Sequence, residues 1–307
     1  DLPVVNRERL NHHPDLLVVG GGVAGLAAAL AAAQHGEKVV LADEGAIGEG
    51  MAPGPTRARV DLLHALLLAE RSVTVLERAT AVGLYQGPLV PSAAADRLHL
   101  VHPARVVVAT GAVERHAVFP GCDLPGIWLA RGAARLAGVH GLSPGRRIVV
   151  VAATAEGMDH FDTLRAHASR DPGCTVVAVV APRELAARVP AGVQVLHDGA
   201  VVAALGRAVG RGAGVRAVVV ETGAGRRTVE CDALVLALGC EPRNGLLRQA
   251  DAGTVQGAGE VVLPGCTLAE AEASGVAAGS PDSTIAVAGA TPNGTAAGVA
   301  GVAGVAL

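Results

Sequence analysis

The segment DLLVVGGGVAGLAAALAAAQHGEKVVLADE, Asp15 to Glu44, constrains the fold more than any other part of the chain. It reads as a buried strand, a glycine turn, a helix and a second strand that ends in acid. Gly20, Gly22 and Gly25 keep G-x-G-x-x-G spacing. The first glycine permits a tight turn, the second lets backbone approach a pyrophosphate, and the third lets the helix pack closely on the strand. The helix start, with Ala24 in its first turn, offers free N–H groups and a partial positive charge to phosphates. Asp43 closes the second strand, 23 residues after Gly20. A carboxylate there accepts ribose hydroxyls and repels a 2′-phosphate, which argues against NADP. Glu44 could share that role or be a solvated loop residue.

The same segment has a rival reading. Leu16 to Ala33 carries no charge over 18 residues, near the roughly 20 residues that span a bilayer. Its four glycines and the acid that follows the second strand argue against a membrane helix. The preceding DLPVVNRERLNHHP lacks a signal-peptide layout. The chain begins with Asp rather than Met, as a fragment or processed product would.

Half the residues are hydrophobic and 41 are glycine, which suits parallel sheets covered on both faces. Trp128, Tyr85, Phe119 and Phe161 are the only aromatics of their kind, and the net charge is -3. Base-stacking platforms and a basic footprint are both lacking, which excludes nucleic acid as a partner. Cys122, Cys174, Cys231, Cys240 and Cys266 are scattered and form no C-x-x-C. That pattern excludes a redox pair or zinc ribbon and reads as small buried hydrophobes in a reducing, cytoplasmic setting. The His12-His13 pair reads as surface loop, so no metal site is expected.

Further on, LHLVHPARVVVATGA reads as an edge strand followed by a buried strand, Val106 to Ala109, that ends in Thr110-Gly111. FPGCDLPGIWL is a connector and ARGAARLAGVHGL a short helix closed by glycine. The strand-turn-helix pattern then restarts in PGRRIVVVAATAEGMDHFDTLRAHASR. Its turn, Ala152 to Gly157, keeps only the last glycine, and Glu156 adds charge where phosphates would sit. Backbone carrying β-carbons there resists close approach of a pyrophosphate. The fold class is therefore α/β, with two Rossmann-like folds of the glutathione-reductase-like FAD/NAD(P)-binding kind, the second degenerate. The expected division is an N-terminal extension over 1–14, a dinucleotide-binding domain over 15–125 plus 245–307, and the degenerate domain over 126–244. Near the end, Ile285 to Ala288 reads as a strand, and Gly289 as a turn that could approach a flavin or nicotinamide ribose.

ATGAVERHAVFPGCDLPGIWLARGAARLAGVHGLSPGRR and CDALVLALGCEPR, in this order after the glycine fingerprint, resemble one branch of the two-dinucleotide-binding flavoproteins. That branch holds the alpha subunit of heterotetrameric sarcosine oxidase, the large subunits of hydrogen cyanide synthase and opine oxidase, and dye-linked proline dehydrogenase. The resemblance covers roughly Asp15 to Ala297. It implies an oxidoreductase acting on a secondary amine or amino acid with bound FAD, or alternatively NAD, and a partner of the amine-oxidase-like beta-subunit type. It implies cofactor contacts at Gly20, Gly22, Ala24, Gly25, Asp43, Glu44, Ala109, Thr110, Gly111, Gly289 and Ala290. The family's Gly-Asp pair, whose Asp holds the ribityl chain, is read here as Gly289-Ala290. The family's further N-terminal, folate-type and iron–sulfur parts have no counterpart in these 307 residues. No residue stands out as a catalytic base; Arg115 and His116 read as a solvated connector. Two other functions fit: a non-catalytic scaffold subunit holding a structural dinucleotide, and an NADH-dependent flavoprotein reductase.

Overall fold

The computed structural model describes residues 8–49, 51, 54–207, 209–210, 212–250 and 254–281. Its helices are α1 (Val23–Gln34), α2 (Pro55–Leu68), α3 (Ala130–His140), α4 (Ala155–Ala168), α5 (Arg183–Ala186) and α6 (Leu268–Gly279). The chain forms two compact units. The first contains the described residues of Asp1–Val113 and Glu241–Ala290, and the second those of Glu114–Cys240.

In the first unit, short runs such as LLVV and VVLA are buried along their whole length. Strands buried on both faces belong inside a parallel sheet. The order is Val255–Gly257, Arg105–Val108, Leu16–Val19, Val39–Ala42, Val73–Leu76, all parallel. On one face α1, α2 and α6 build a core around Leu16, Leu26, Leu41, Leu63 and Leu67. On the other, Leu17, Val40, Val106 and Val108 pack with Val90 and Val101 of a four-stranded sheet. That second sheet runs Glu8–His12, Arg97–Val101, Val90–Ala93, Thr80–Ala81. Arg97–Val101, which reads as an edge strand from sequence, is paired on both sides. Glu8–His12 lies parallel along its outer side.

The contact of α1 with α6 depends on missing side chains. A Cβ added at Gly275 or Gly279 would overlap the carbonyl oxygens of Ala24 and Ala28. Thr267 and Glu270 start α6 with a reciprocal capping box. Arg105 closes its end, donating to the carbonyls of Ala278 (3.0 Å) and Gly279 (2.6 Å) while its guanidinium also pairs with Glu37 (2.6 Å). A cation at a helix C-terminus satisfies orphan carbonyls and opposes the dipole.

The second unit has its own parallel sheet, in the order Ile127–Leu129, Ala233–Ala237, Arg147–Ala152, Thr175–Ala181, Gln194–His197. α3 and α4 cover one face through Ala133, Met158, Phe161 and Leu164. An antiparallel sheet of Ala200–Arg207, Gly214–Thr222 and Gly225–Glu230 covers the other through Val215, Val218, Val220 and Val229.

Candidate dinucleotide site

The strand Leu16–Val19 ends at Gly20, whose φ of +112° lies in the left-handed region. A Cβ here would overlap the carbonyl oxygen of Ala109 at the end of the neighbouring strand, so backbone approaches backbone. A Cβ at Gly25 would overlap the carbonyl oxygen of Gly20. This places α1 hard against the turn. Gly22 differs. It has extended backbone (φ -76°, ψ -176°), and among the described residues no heavy atom beyond its chain neighbours lies within 4 Å of where its Cβ would be.

Gly22 is also the N-cap of α1, and among the described residues no side chain caps the helix. The Leu26 N–H closes the first helical turn on the Gly22 carbonyl. The first N–H groups, from Val23, Ala24 and Gly25, are those that a helix leaves for an external acceptor. An uncapped helix start facing open space at Gly22 fits a bound pyrophosphate.

Asp43 follows the strand Val39–Ala42 directly. Its Oδ2 accepts from the Gly21 N–H at 2.6 Å and its Oδ1 from the Gly45 N–H at 2.8 Å. The carboxylate is thus aimed at the glycine turn and retains lone pairs for a ribose hydroxyl. Glu44 is not a free loop residue. Both its oxygens take bonds from Arg243, at 2.8 and 3.2 Å. That pairing holds its carboxyl below the usual range.

Ala109 is buried and its N–H donates to Val19. Thr110 Oγ1 donates to the Arg243 carbonyl at 2.7 Å, and Gly111, at φ +67°, accepts from the Arg243 N–H at 2.9 Å. The structure therefore joins Gly20, Gly25 and Ala109 in one contact, and Glu44, Thr110 and Gly111 through Arg243. Sequence reasoning missed Arg243, since 199 positions separate it from Glu44. Beyond the turn, His116 Nδ1 lies 2.6 Å from the carbonyl oxygen of its neighbour Ala117.

Gly289 and Ala290 lie outside the described residues. The place beside Arg105–Val108 is filled by Val255–Gly257. After it, Gly259 has φ +71°, and a Cβ there would sit 2.7 Å from the Ala24 Cβ. Glu260 follows, half-buried, its Oε2 3.9 Å from where a Gly111 Cβ would be. A carboxylate therefore stands at the end of this strand, next to the turn that follows Arg105–Val108.

The profile of the pyridine nucleotide-disulphide oxidoreductase family matches residues 14–267. The chain belongs to this family. Membership supports FAD as the cofactor, and the first turn fits a dinucleotide. The chain is 31% identical over 253 residues to sarcosine oxidase subunit alpha of Rhizobium meliloti, covering 75% of this chain and 25% of that protein. It thus spans about a quarter of that relative's length. L-proline dehydrogenase from P. horikoshii shares the fold at a TM-score of 0.64, with 21% identity, over 89% of this chain and 56% of the other. T. acidophilum thioredoxin reductase does so at 0.67 and 17% identity, over 87% of this chain and 97% of the other. Among the described residues no helix is long and apolar enough to cross a membrane.

In the second unit, the turn after Arg147–Ala152 is built differently. Ala152 is not among the residues with positive φ. Thr154 is the N-cap of α4, and its Oγ1 accepts the Gly157 N–H at 3.1 Å. Gly157 still serves packing, since a Cβ would lie 2.9 Å from the Ala237 Cβ. Glu156 pairs with Arg131 at 2.8 Å and lies 3.4 Å from His160 Nε2. His160 and Arg131 hold its carboxyl down at about 2. The expectation that Glu156 repels phosphate needs correcting, because Arg131 offsets its charge. The side-chain cap is what closes this turn.

Proposed function

We propose that this chain is the dinucleotide-binding part of a flavin-dependent oxidoreductase that acts on secondary amines or amino acids. The observation that carries the reading is the uncapped start of α1 facing open space at Gly22. The similarity to sarcosine oxidase subunit alpha supports amine oxidation as the chemistry.

The α1 N–H groups of Val23, Ala24 and Gly25 bind the pyrophosphate, and Asp43 accepts the ribose hydroxyls. Ala109, Thr110 and Gly111 line the neighbouring strand end. Glu260, beside Gly111, would supply a carboxylate toward the ribityl chain. FAD, when bound, supplies the hydride acceptor. The protein's own part is to fix the ring and exclude competing reactions. The relative is named as a subunit, so a partner of amine-oxidase type, working with this chain in a hetero-oligomer, completes the substrate site in this reading.

Purified chain, examined by visible absorption and by mass spectrometry of the released ligand, tests this. One FAD per chain, bleached anaerobically by a secondary amine once the partner is added, is the expected result. A colourless chain that releases NAD on denaturation would favour the scaffold reading instead.

A further inference from the structure

Two loops meet the glycine turn of the first unit: the one after Val39–Ala42, whose Asp43 lies on Gly21, and Thr110-Gly111 after Arg105–Val108, whose start lies on Gly20. One residue holds both. Arg243 grips Glu44 with two guanidinium nitrogens, at 2.8 and 3.2 Å. Its N–H donates to the Gly111 carbonyl at 2.9 Å, and its carbonyl accepts from Thr110 Oγ1 at 2.7 Å. Asp43, the neighbour of Glu44, is itself fixed on the Gly21 N–H at 2.6 Å. The contacts run from the glycine turn through Asp43-Glu44 and Arg243 to Thr110-Gly111.

The charges explain why such a residue is useful. A dinucleotide brings an anionic pyrophosphate to Gly22. Asp43 and Glu44 would meet it as two adjacent carboxylates, and like charges at short range oppose binding. The Arg243 guanidinium offsets one of them. Its planar fork also fixes the Glu44 carboxylate in one orientation, which an ammonium would not do. As a stability element the pair is minor, because both side chains are about half exposed and such bridges contribute roughly 0–1 kcal/mol.

We infer that Arg243 is a positioning residue of the dinucleotide site. It offsets the charge of Glu44, leaves Asp43 as the carboxylate that meets the ribose, and fixes the Thr110-Gly111 turn. This rests on the reading that the first unit holds a dinucleotide.

The test is the affinity of stripped protein for FAD, measured by flavin fluorescence at low and high salt, with melting temperature followed alongside. Wild type is compared with Arg243→Gln, Arg243→Lys, Glu44→Gln and the double variant. Arg243→Gln should bind about tenfold more weakly, the size of one charge-assisted contact, with melting little changed. Arg243→Lys should recover part of the loss. Glu44→Gln combined with Arg243→Gln should recover most of it, because the opposed charge has gone too. The difference between wild type and Arg243→Gln should shrink at high salt. Wild-type affinity in Arg243→Gln, or a double variant as weak as Arg243→Gln alone, would overturn the inference while leaving the dinucleotide site standing. Wild type that binds neither FAD nor NAD would remove the site itself and this inference with it.

Discussion

The chain contains the same strand-turn-helix twice, and the two copies end differently. In the first, Gly20-x-Gly22-x-x-Gly25 leaves the helix start uncapped and facing open space. In the second, Ala152, Thr154 and Gly157 occupy the matching positions, and Thr154 accepts the N–H that a ligand would otherwise take. The last glycine is kept in both because both helices must pack on their strand. Gly20 is kept where backbone passes close to the Ala109 carbonyl, and Gly22 where the helix start is left available. Packing and ligand binding thus place separate demands on one motif, and the second unit meets only the first.

The sharpest way to break this contrast is Gly22→Val. Extended backbone and free space predict a folded protein with normal melting. The branched side chain would fill the pyrophosphate volume, so retention should fall by at least about a hundredfold, the loss of roughly 3 kcal/mol. Cofactor content after gel filtration decides it, and full occupancy would refute the role given to this turn. Gly20→Ala attacks fold and site together. Its left-handed φ and the overlap with Ala109 predict a stability loss of roughly 1–3 kcal/mol, read by chemical denaturation.

Asp43→Asn should weaken binding about tenfold, since the amide accepts less strongly from ribose hydroxyls. Should NAD prove to be the ligand, this variant should also reduce discrimination against NADP in a titration.

Thr154→Ala should cost about 1 kcal/mol, as for other lost N-caps, and leave cofactor content unchanged. Equilibrium dialysis of the loaded wild type should show no second NAD(H). Saturable binding that is lost on changing 152–157 would mean the second turn is a nucleotide site after all.

A further effect concerns acid. Glu156 is held at about 2 in the folded state, against 4.5 ordinarily, first by His160 and then by Arg131. A depressed carboxyl stabilises the protein above its unfolded value, and the contribution is lost as pH falls from about 4.5 toward 2. Glu156→Gln should therefore show a flatter decline in stability across that interval, measured by urea titration at each pH.

Much of this was legible in the sequence where the signal is local. The first turn, Asp43 and the restart of the pattern near Arg146 all sit within short windows of regular apolar spacing. Val255–Gly257 is three residues long and carries Gln256, too short and mixed for periodicity to mark it. Glu8–His12 is polar and lies along a neighbour 89 positions away, as in Glu8 beside Arg97. Arg243 and Glu260 gain meaning only from partners distant in sequence. A pattern of residue types does not carry such pairings; the chain must fold before they exist.

The grip of Gly275 and Gly279 on Ala24 and Ala28 has a consequence for biosynthesis. α1 leaves the ribosome before the second unit is made, and α6 emerges only after all of Glu114–Cys240. Until then the small-residue face of α1 has no cover, and Arg105 has no helix end to close. The second unit can be complete while the first still waits for a segment made more than 200 residues later. For that interval the nascent chain carries a finished unit with a capped turn and an unfinished one with an open turn. A cofactor arriving early would meet a glycine turn whose supporting helix has not yet been synthesised.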